Sequence, residues 1–219
     1  MVAPSRSGRL NLDVRRKAQQ SIVVMVLRIL HDAWPATIAD AGVDRTTNED
    51  TITNVLRWKM NDAKKQIDPV PQIRFEREAQ SDDPELDTPI GLIDIKILYT
   101  MNDETYLTME CKRITSTENS LALKYVRNGV NRFTSGKYGP RHAFGIVTGY
   151  VTCGDPDACA ERVGKTLARE PVPETGYDSE FGWRVDDELI KGTRHYRTQH
   201  SQTALTNTIE LIHAFVSLN

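Results

Sequence analysis

Between Gly91 and Ile114 the chain alternates apolar and polar residues at period two on both sides of a polar break. In the first segment Ile93, Ile95, Ile97 and Tyr99 share one face and Asp94 and Lys96 the other. In the second, Leu107, Met109 and Cys111 oppose Thr108, Glu110 and Lys112. This alternation predicts two strands, each with one buried face. The turn-prone stretch Thr100-Met101-Asn102-Asp103-Glu104 predicts that they form an antiparallel hairpin. Directly opposed residues of such a pair point to one face. A connection centred on Asn102 therefore opposes Asp94 to Glu110, and one centred on Asp103 opposes Asp94 to Lys112. A tight Asn-Asp turn instead opposes Asp94 to Cys111 and sends the two acids to opposite faces.

Helical spacing governs the N-terminal part. Residues 1–8 carry no periodic pattern and are expected to be disordered. Residues 10–33 put Ile22, Val23, Val26, Leu27 and Leu30 on one side, with Trp34-Pro35 as the expected stop. A second helix is predicted at about 47–66, with Ile52, Val55, Leu56 and Met60 as its apolar stripe. QIRFERE, after Asp68-Pro69, reads as a strand, and SDDPELDTP as a loop leading to the hairpin. Beyond the hairpin, 118–134 reads as a helix with Leu123, Val126, Val130 and Phe133 inward, weakened by Gly129. The apolar run 142–151 suits a central strand buried on both faces. Residues 155–170 open as a helix on Asp155 as N-cap and Pro156 at the first position. Residues 171–192 read as acidic loop, and the end of the chain as a strand followed by another strand or a short helix. The order αα-βββ-α-β-α-β predicts an α/β fold, a mixed central β-sheet flanked by helices, forming a single domain over 9–219.

Composition changes this picture little. At 219 residues and 39% hydrophobic content the chain can bury a full core. A net charge of −2 announces no global preference for polyanions or anionic membranes. The apolar run 21–30 follows Arg15, Arg16 and Lys17, but it starts too far in for a signal peptide, contains Arg28 and is too short to span a bilayer. No membrane partner is expected. Cys111, Cys153 and Cys159 show no CxxC pair or zinc-like spacing, which suits a reducing, cytoplasmic setting.

Locally the charge is uneven. From Lys112 to His142 the chain carries Lys112, Arg113, Lys124, Arg127, Arg132, Lys137 and Arg141 against Glu118 alone. A basic segment following an acidic hairpin suits a phosphate-bearing substrate, although most charge runs are solvated faces. Asp94 and Glu110 are hard oxygen ligands suited to a divalent cation, with Lys112 on the same face; the plainer reading is a cross-strand ion pair of small worth. On the helix that follows, Asn128 and Arg132 share an i,i+4 face and, with Lys124 and Arg127, are candidates to hold a phosphate. Glu49 has two readings. It fits the third helical position of a capping box opened by Thr46, and it also leads the stripe Glu49, Ile52, Leu56 toward the core. Asp50 reads as a helix-start charge. Arg197, His200 and His213 sit in strand-like runs and read as hydrogen-bonded core residues rather than reactive ones.

Asp94, then Glu110-Cys111-Lys112 on the next strand, resembles the PD-(D/E)xK nuclease superfamily, whose fold is called restriction-endonuclease-like. Ile93 replaces the family's proline. The helix start Asn48-Glu49-Asp50-Thr51-Ile52-Thr53 is similar to the family's glutamate-bearing helix, and the likeness covers about residues 45–151. The resemblance implies a Mg²⁺-dependent endonuclease hydrolysing phosphodiester bonds, most naturally in DNA, with Mn²⁺ as a substitute metal. It implies Asp94, Glu110 and the Cys111 backbone carbonyl as metal ligands and Glu49 as a further acid. Lys112 would orient the attacking water or stabilise charge on the phosphate, a role as base being open. It further implies a homodimer for double-strand cleavage, a partner protein or loops for specificity, and a setting in prokaryotic restriction or anti-phage defence. The alternative is a catalytically inactive relative that binds nucleic acid or acts as a scaffold.

Overall fold

The structure is a computed structural model, and it describes residues 6–80, 92–99, 106–135, 138, 142–202 and 207–218. The expected loop at 81–89 and the turn at Met101–Glu104 lie outside the described residues. Two helices come first, α1 (Arg6–Ile38) and α2 (Glu49–Ala63), the latter tightening into a 3₁₀ turn at Lys64–Gln66. Strands β1 (Arg74–Gln80), β2 (Leu92–Leu98) and β3 (Tyr106–Thr115) follow. Then come α3 (Asn119–Tyr125), a π turn (Val126–Val130) and α4 (Asn131–Thr134), which lead to β4 (Phe144–Cys153). Helices α5 (Pro156–Leu167) and α6 (Val172–Thr175) precede β5 (Arg184–Ile190), β6 (Thr193–Ser201) and β7 (Thr208–Ser217).

These strands form one mixed sheet in the order β1-β2-β3-β4-β7-β6-β5. The pairs β1–β2, β2–β3, β5–β6 and β6–β7 are antiparallel, whereas β3–β4 and β4–β7 are parallel. The expected α/β class with helices flanking a mixed sheet is therefore what the chain adopts. β4 sits in the middle, buried along its whole length except Cys153, as its apolar run requires. One core lies under α1 and α2, where Val26, Leu27, Leu30, Ile52, Leu56 and Met60 meet Ile95, Ile97, Leu107, Met109 and Cys111. The other lies under α3 and α5, where Tyr125, Val126, Cys159 and Val163 meet Val147, Val151, Leu211 and Phe215.

Several expectations are corrected. α1 begins at Arg6, inside the stretch expected to be disordered, and runs through Pro35 to Ile38. It continues past the proline because Trp34 is fastened to the sheet. Its indole N–H donates to the Ser217 carbonyl at 2.7 Å, and its ring stacks on Tyr150 with centroids 5.7 Å apart. Thr37 closes the turn by donating to the Ala33 carbonyl. The apolar window of this helix, Arg16–Ile38, is long and apolar enough by length and composition to cross a membrane, longer than the run read from the sequence. Its apolar face is spent on the first core, where Val23, Val26, Leu27 and Leu30 are fully buried.

The helix after the hairpin is interrupted by the π turn, which adds a residue and rotates the stripe. Leu123 is only partly buried, while Ala122, Tyr125 and Gly129 face inward. The stretch read as acidic loop contains α6 and β5. β5 has no buried face to announce it, its residues being exposed or half-buried. It is held instead by pairing with β6 and by the Arg197–Asp186 ion pair at 3.1 Å. The final segments are two strands, so the expected element order gains strands at its end. Ile93 was placed with Ile95 and Ile97, yet it packs in the second core.

Candidate active site

The β2–β3 ladder runs Leu98↔Tyr106, Ile97↔Leu107, Lys96↔Thr108 and Ile95↔Met109. These are the partners given by a connection centred on Asn102, and one further step in that register sets Asp94 opposite Glu110. There the strands part. The Cys111 backbone N–H donates to Asp94 Oδ2 at 2.8 Å, so a side chain takes a bond that the ladder would otherwise supply. On its other edge β3 stays paired to β4, Glu110 to Val147 and Lys112 to Gly149.

α2 brings the third acid. Asn48 is the N-cap, its Oδ1 accepting from the Thr51 N–H at 2.8 Å, which overturns the expected cap at Thr46. Thr46 is tied to Asp44 instead, its N–H and hydroxyl both donating to Asp44 Oδ1. Glu49 is thus the first helical residue and has no box to close. Its Oε2 accepts from the Arg113 N–H at 2.9 Å and its Oε1 from Lys112 Nζ at 2.8 Å. The helix start is fixed to the central strand by Thr53, whose hydroxyl donates to the Glu49 carbonyl at 2.8 Å and lies 3.1 Å from the Tyr150 hydroxyl.

Glu49, Asp94, Glu110 and Lys112 therefore meet. Lys112 Nζ lies 2.7 Å from Glu110 Oε1, 2.8 Å from Glu49 Oε1 and 3.6 Å from Asp94 Oδ2, and donates to the Cys111 carbonyl at 2.6 Å. As they stand, no three His, Cys, Asp or Glu side chains among the described residues are arranged to enclose a metal ion. The ammonium holds the centre. Glu110 is completely buried, and neither carboxylate oxygen has a hydrogen bond of normal geometry despite the nearby ammonium.

Burial, then the neighbouring Asp94 charge, pushes the Glu110 carboxyl up to about 7. For Lys112, burial works against the charged form, but the combined field of Glu110, Asp94 and Glu49 outweighs it and raises the pKa. The three carboxylates thus favour the protonated form of Lys112. Burial drives the Cys111 thiol well above its usual range, and the thiol lies in the first core, so the residue meets the site through its backbone.

Among the basic candidates, Arg132 reaches the acids, with Nε 3.3 Å from Glu110 Oε1. Arg127 is engaged by Glu170 at 2.7 Å, and Lys124 is exposed. Arg127, Asn128 and Arg132 line a cleft of about 410 Å³ beside the acids, together with Asn131 and Glu174; Lys124 is not among its walls. Lys137 and Arg141 lie outside the described residues. His213 and His200 are buried and bonded as expected: His213 lies 3.0 Å from the Tyr125 hydroxyl and 2.8 Å from the Thr198 hydroxyl, and His200 lies 2.8 Å from the same Thr198 oxygen. Arg197 pairs with Asp186 and Glu210.

Two residues of the site escaped the sequence reading. Tyr138 accepts from Arg132 at 2.7 Å and donates to the Leu92 carbonyl; in the sequence it stands between Gly136-Lys137 and Gly139-Pro140, with no period to mark it. Gly129, read as a weakness in a helix, lies against the stems of both site residues on β3. A Cβ there would sit 3.4 Å from Lys112 Cγ and 3.8 Å from Glu110 Cγ. No protein-family model, curated protein or solved structure matches this chain.

Proposed function

We propose that the protein is a Mg²⁺-dependent endonuclease of the PD-(D/E)xK type, with a restriction-endonuclease-like fold, hydrolysing phosphodiester bonds in DNA. The convergence of Glu49, Asp94, Glu110 and Lys112 carries this reading. It is supported by the order of elements over about residues 45–151, the helix α2, the antiparallel pair β2–β3, the helix α3 and the strand β4, since the resemblance implies helix, hairpin, helix and strand.

The donors fit a hard cation. The Asp94 and Glu110 carboxylates and the Cys111 carbonyl are oxygen ligands, and the Glu110 carboxylate is completely buried, with the Lys112 ammonium 2.7 Å from its Oε1. The Lys112 ammonium, held by these same three groups and Glu49, stands in for such a cation. Asp94, Glu110 and the Cys111 carbonyl would hold Mg²⁺, with Mn²⁺ as substitute. A bound Mg²⁺ would supply Lewis-acid polarisation of the scissile phosphate and activation of the attacking water. Lys112 orients that water or neutralises charge growing on the phosphate oxygens. Glu49 holds Lys112 in place through its Oε1 and anchors β3 through its Oε2. Arg132 faces the phosphate from the cleft side, and Arg127 and Asn128 extend that side.

Two active sites are needed to cut both strands, so a homodimer belongs to the proposal, with specificity from loops or a partner protein. A role in prokaryotic restriction or anti-phage defence, and a cytoplasmic site suited to three free thiols, complete it. One observation favours the rival reading of an inactive nucleic-acid-binding relative: the ammonium already occupies the space between the acids. Incubating the protein with supercoiled plasmid separates the two. Nicking or linearisation with Mg²⁺, absent with EDTA and in Lys112→Ala, is the expected result. Retention of plasmid on the protein without cleavage under any divalent metal supports the rival.

A further inference from the structure

The hydroxyl of Tyr138 is the joint between the strand that carries Asp94 and the helical turn that carries Arg132. The residue is fully buried. Its backbone N–H donates to the Arg132 carbonyl at 3.1 Å and its ring packs edge-on against Phe133. From there the hydroxyl donates to the Leu92 carbonyl, two positions before Asp94 in the chain, and accepts from Arg132 Nη1 at 2.7 Å. Phenylalanine would fill the same space. Packing therefore explains the ring and not the oxygen, whose burial is unfavourable unless it is bonded.

Arg132 is held at two of its three nitrogens. Nη1 is fixed by Tyr138, with the Leu92 carbonyl 3.4 Å away. Nε donates to the Asn128 carbonyl at 2.9 Å and lies 3.3 Å from Glu110 Oε1. Nη2 makes no hydrogen bond or ion pair with another described residue, and the side chain is 35% exposed. Lys112 Nζ stands 2.7 Å from the same Glu110 oxygen, so the anchored guanidinium flanks the acid cluster with one donor nitrogen left open. A planar fork fixed along one edge takes a phosphate oxygen better than a free side chain does, because it is ordered beforehand. We propose that Tyr138 is a positioning residue that aims Nη2 of Arg132 at the phosphate handled by the Asp94–Glu110–Lys112 site. The assignment rests on the reading of that site as one for nucleic-acid phosphates.

The test is binding of a fluorescein-labelled DNA duplex of about twelve base pairs, in Ca²⁺ to suppress turnover, read as affinity and as its salt dependence. Arg132→Ala is expected to bind about tenfold more weakly. It should also flatten the slope of log K against log salt by about 0.9, the value of one phosphate contact. Tyr138→Phe, which keeps the ring and the charge, is expected to show most of both losses. Adding it to Arg132→Ala is expected to change neither further. Arg132→Lys keeps the charge without the fork and is expected to bind like Arg132→Ala. Thermal midpoints accompany each variant. A wild-type slope in Tyr138→Phe, a loss that persists undiminished on the Arg132→Ala background, wild-type affinity in Arg132→Lys, or no binding of the duplex by the wild type overturns the assignment. Plasmid cleavage with Mg²⁺ alongside any of these leaves the nuclease reading standing. Binding that depends on Tyr138 through Arg132, without cleavage under any divalent metal, sinks the nuclease reading and leaves the assignment.

Discussion

Glu49 Oε1 and Lys112 Nζ meet at 2.8 Å although 63 positions separate them in the chain. Because the other Glu49 oxygen accepts from the Arg113 N–H, one carboxylate fixes both the ammonium and the backbone beside it. Glu49→Gln keeps the shape and removes the charge, so the Arg113 contact survives and the hold on Lys112 weakens. The expected loss is about 1–2 kcal/mol of stability, in the range for a hydrogen bond to a charged group, read by urea unfolding. A change below a few tenths of a kcal/mol would show that Glu49 is a bystander.

Lys112 and a divalent cation compete for the same oxygens. Lys112→Ala should therefore bind Mn²⁺ more tightly than the wild type, by about tenfold or 1.4 kcal/mol, while metal-dependent cleavage disappears. Isothermal titration of Mn²⁺ into both proteins decides the matter. Weaker binding in the variant would mean that the ammonium supports the metal seat rather than filling it.

Glu110 is a completely buried carboxylate with no normal hydrogen bond. Glu110→Gln removes its charge and leaves Lys112 still facing Glu49 and Asp94. The variant is expected to be about 1 kcal/mol more stable above pH 7, because a carboxyl raised to about 7 in the folded state costs stability where it is ionised, and to lose Mg²⁺-dependent cleavage. Denaturant midpoints beside a plasmid assay test both halves, and a strongly destabilised variant contradicts the first.

The buried histidines set an acid limit on stability. Burial lowers His200 to about 4, against an ordinary value of 6.5, with its bond to the Thr175 carbonyl only partly offsetting this. The folded state thus binds its proton less readily than the unfolded chain. The stability this supplies is full above pH 6.5 and is lost as pH falls from 6.5 toward 4, by about 2 kcal/mol at pH 5. Glu110, raised to about 7, works in the opposite direction over part of the same window. The diagnostic is therefore the difference between wild type and His200→Asn. The drop in unfolding free energy from pH 7 to pH 5 should be about 2 kcal/mol smaller in the variant, and equal drops would refute the assignment.

The central strand is notched for its neighbours. A Cβ at Gly145 would stand within 2.7 Å of two Phe133 ring carbons, and one at Gly149 within 2.8 Å of two Phe215 ring carbons. Gly145→Ala and Gly149→Ala should each cost about 1–3 kcal/mol through overpacking. At Gly129 the nearest atom is 3.4 Å away, so Ala fits there. Thermal midpoints of the three variants should separate accordingly, with Gly129→Ala closest to wild type.

Much of this arrangement was written in period-two and helical spacing. The apolar faces of β3, α1 and α2, the burial of β4 and the Asp155 cap of α5 all follow from local pattern, and so did the meeting of Asp94 with Glu110 once the register was known. What escaped depends on relations that no local pattern encodes. Glu49 had two readings because the cap and the core side lie one turn apart on the same helix, and only the docking of α2 by Thr53 and Tyr150 decides between them. The π turn leaves no mark except Gly129, which propensity alone counts as a defect. β5 has no hydrophobic face, since it exists by pairing rather than by burial. Pro35 looked like a stop because the anchor that carries α1 past it, Trp34 on Ser217, comes from the far end of the chain.

The N–H of Cys111 serves Asp94, its carbonyl serves Lys112, and its thiol lies in the core under α1 and α2. Chemistry at this position runs through atoms that every residue except proline possesses. An apolar side chain at position 111 would keep both backbone contacts and give up one link, the hydrogen bond between the thiol and the Tyr150 hydroxyl, which itself lies 3.1 Å from the Thr53 hydroxyl at the start of α2.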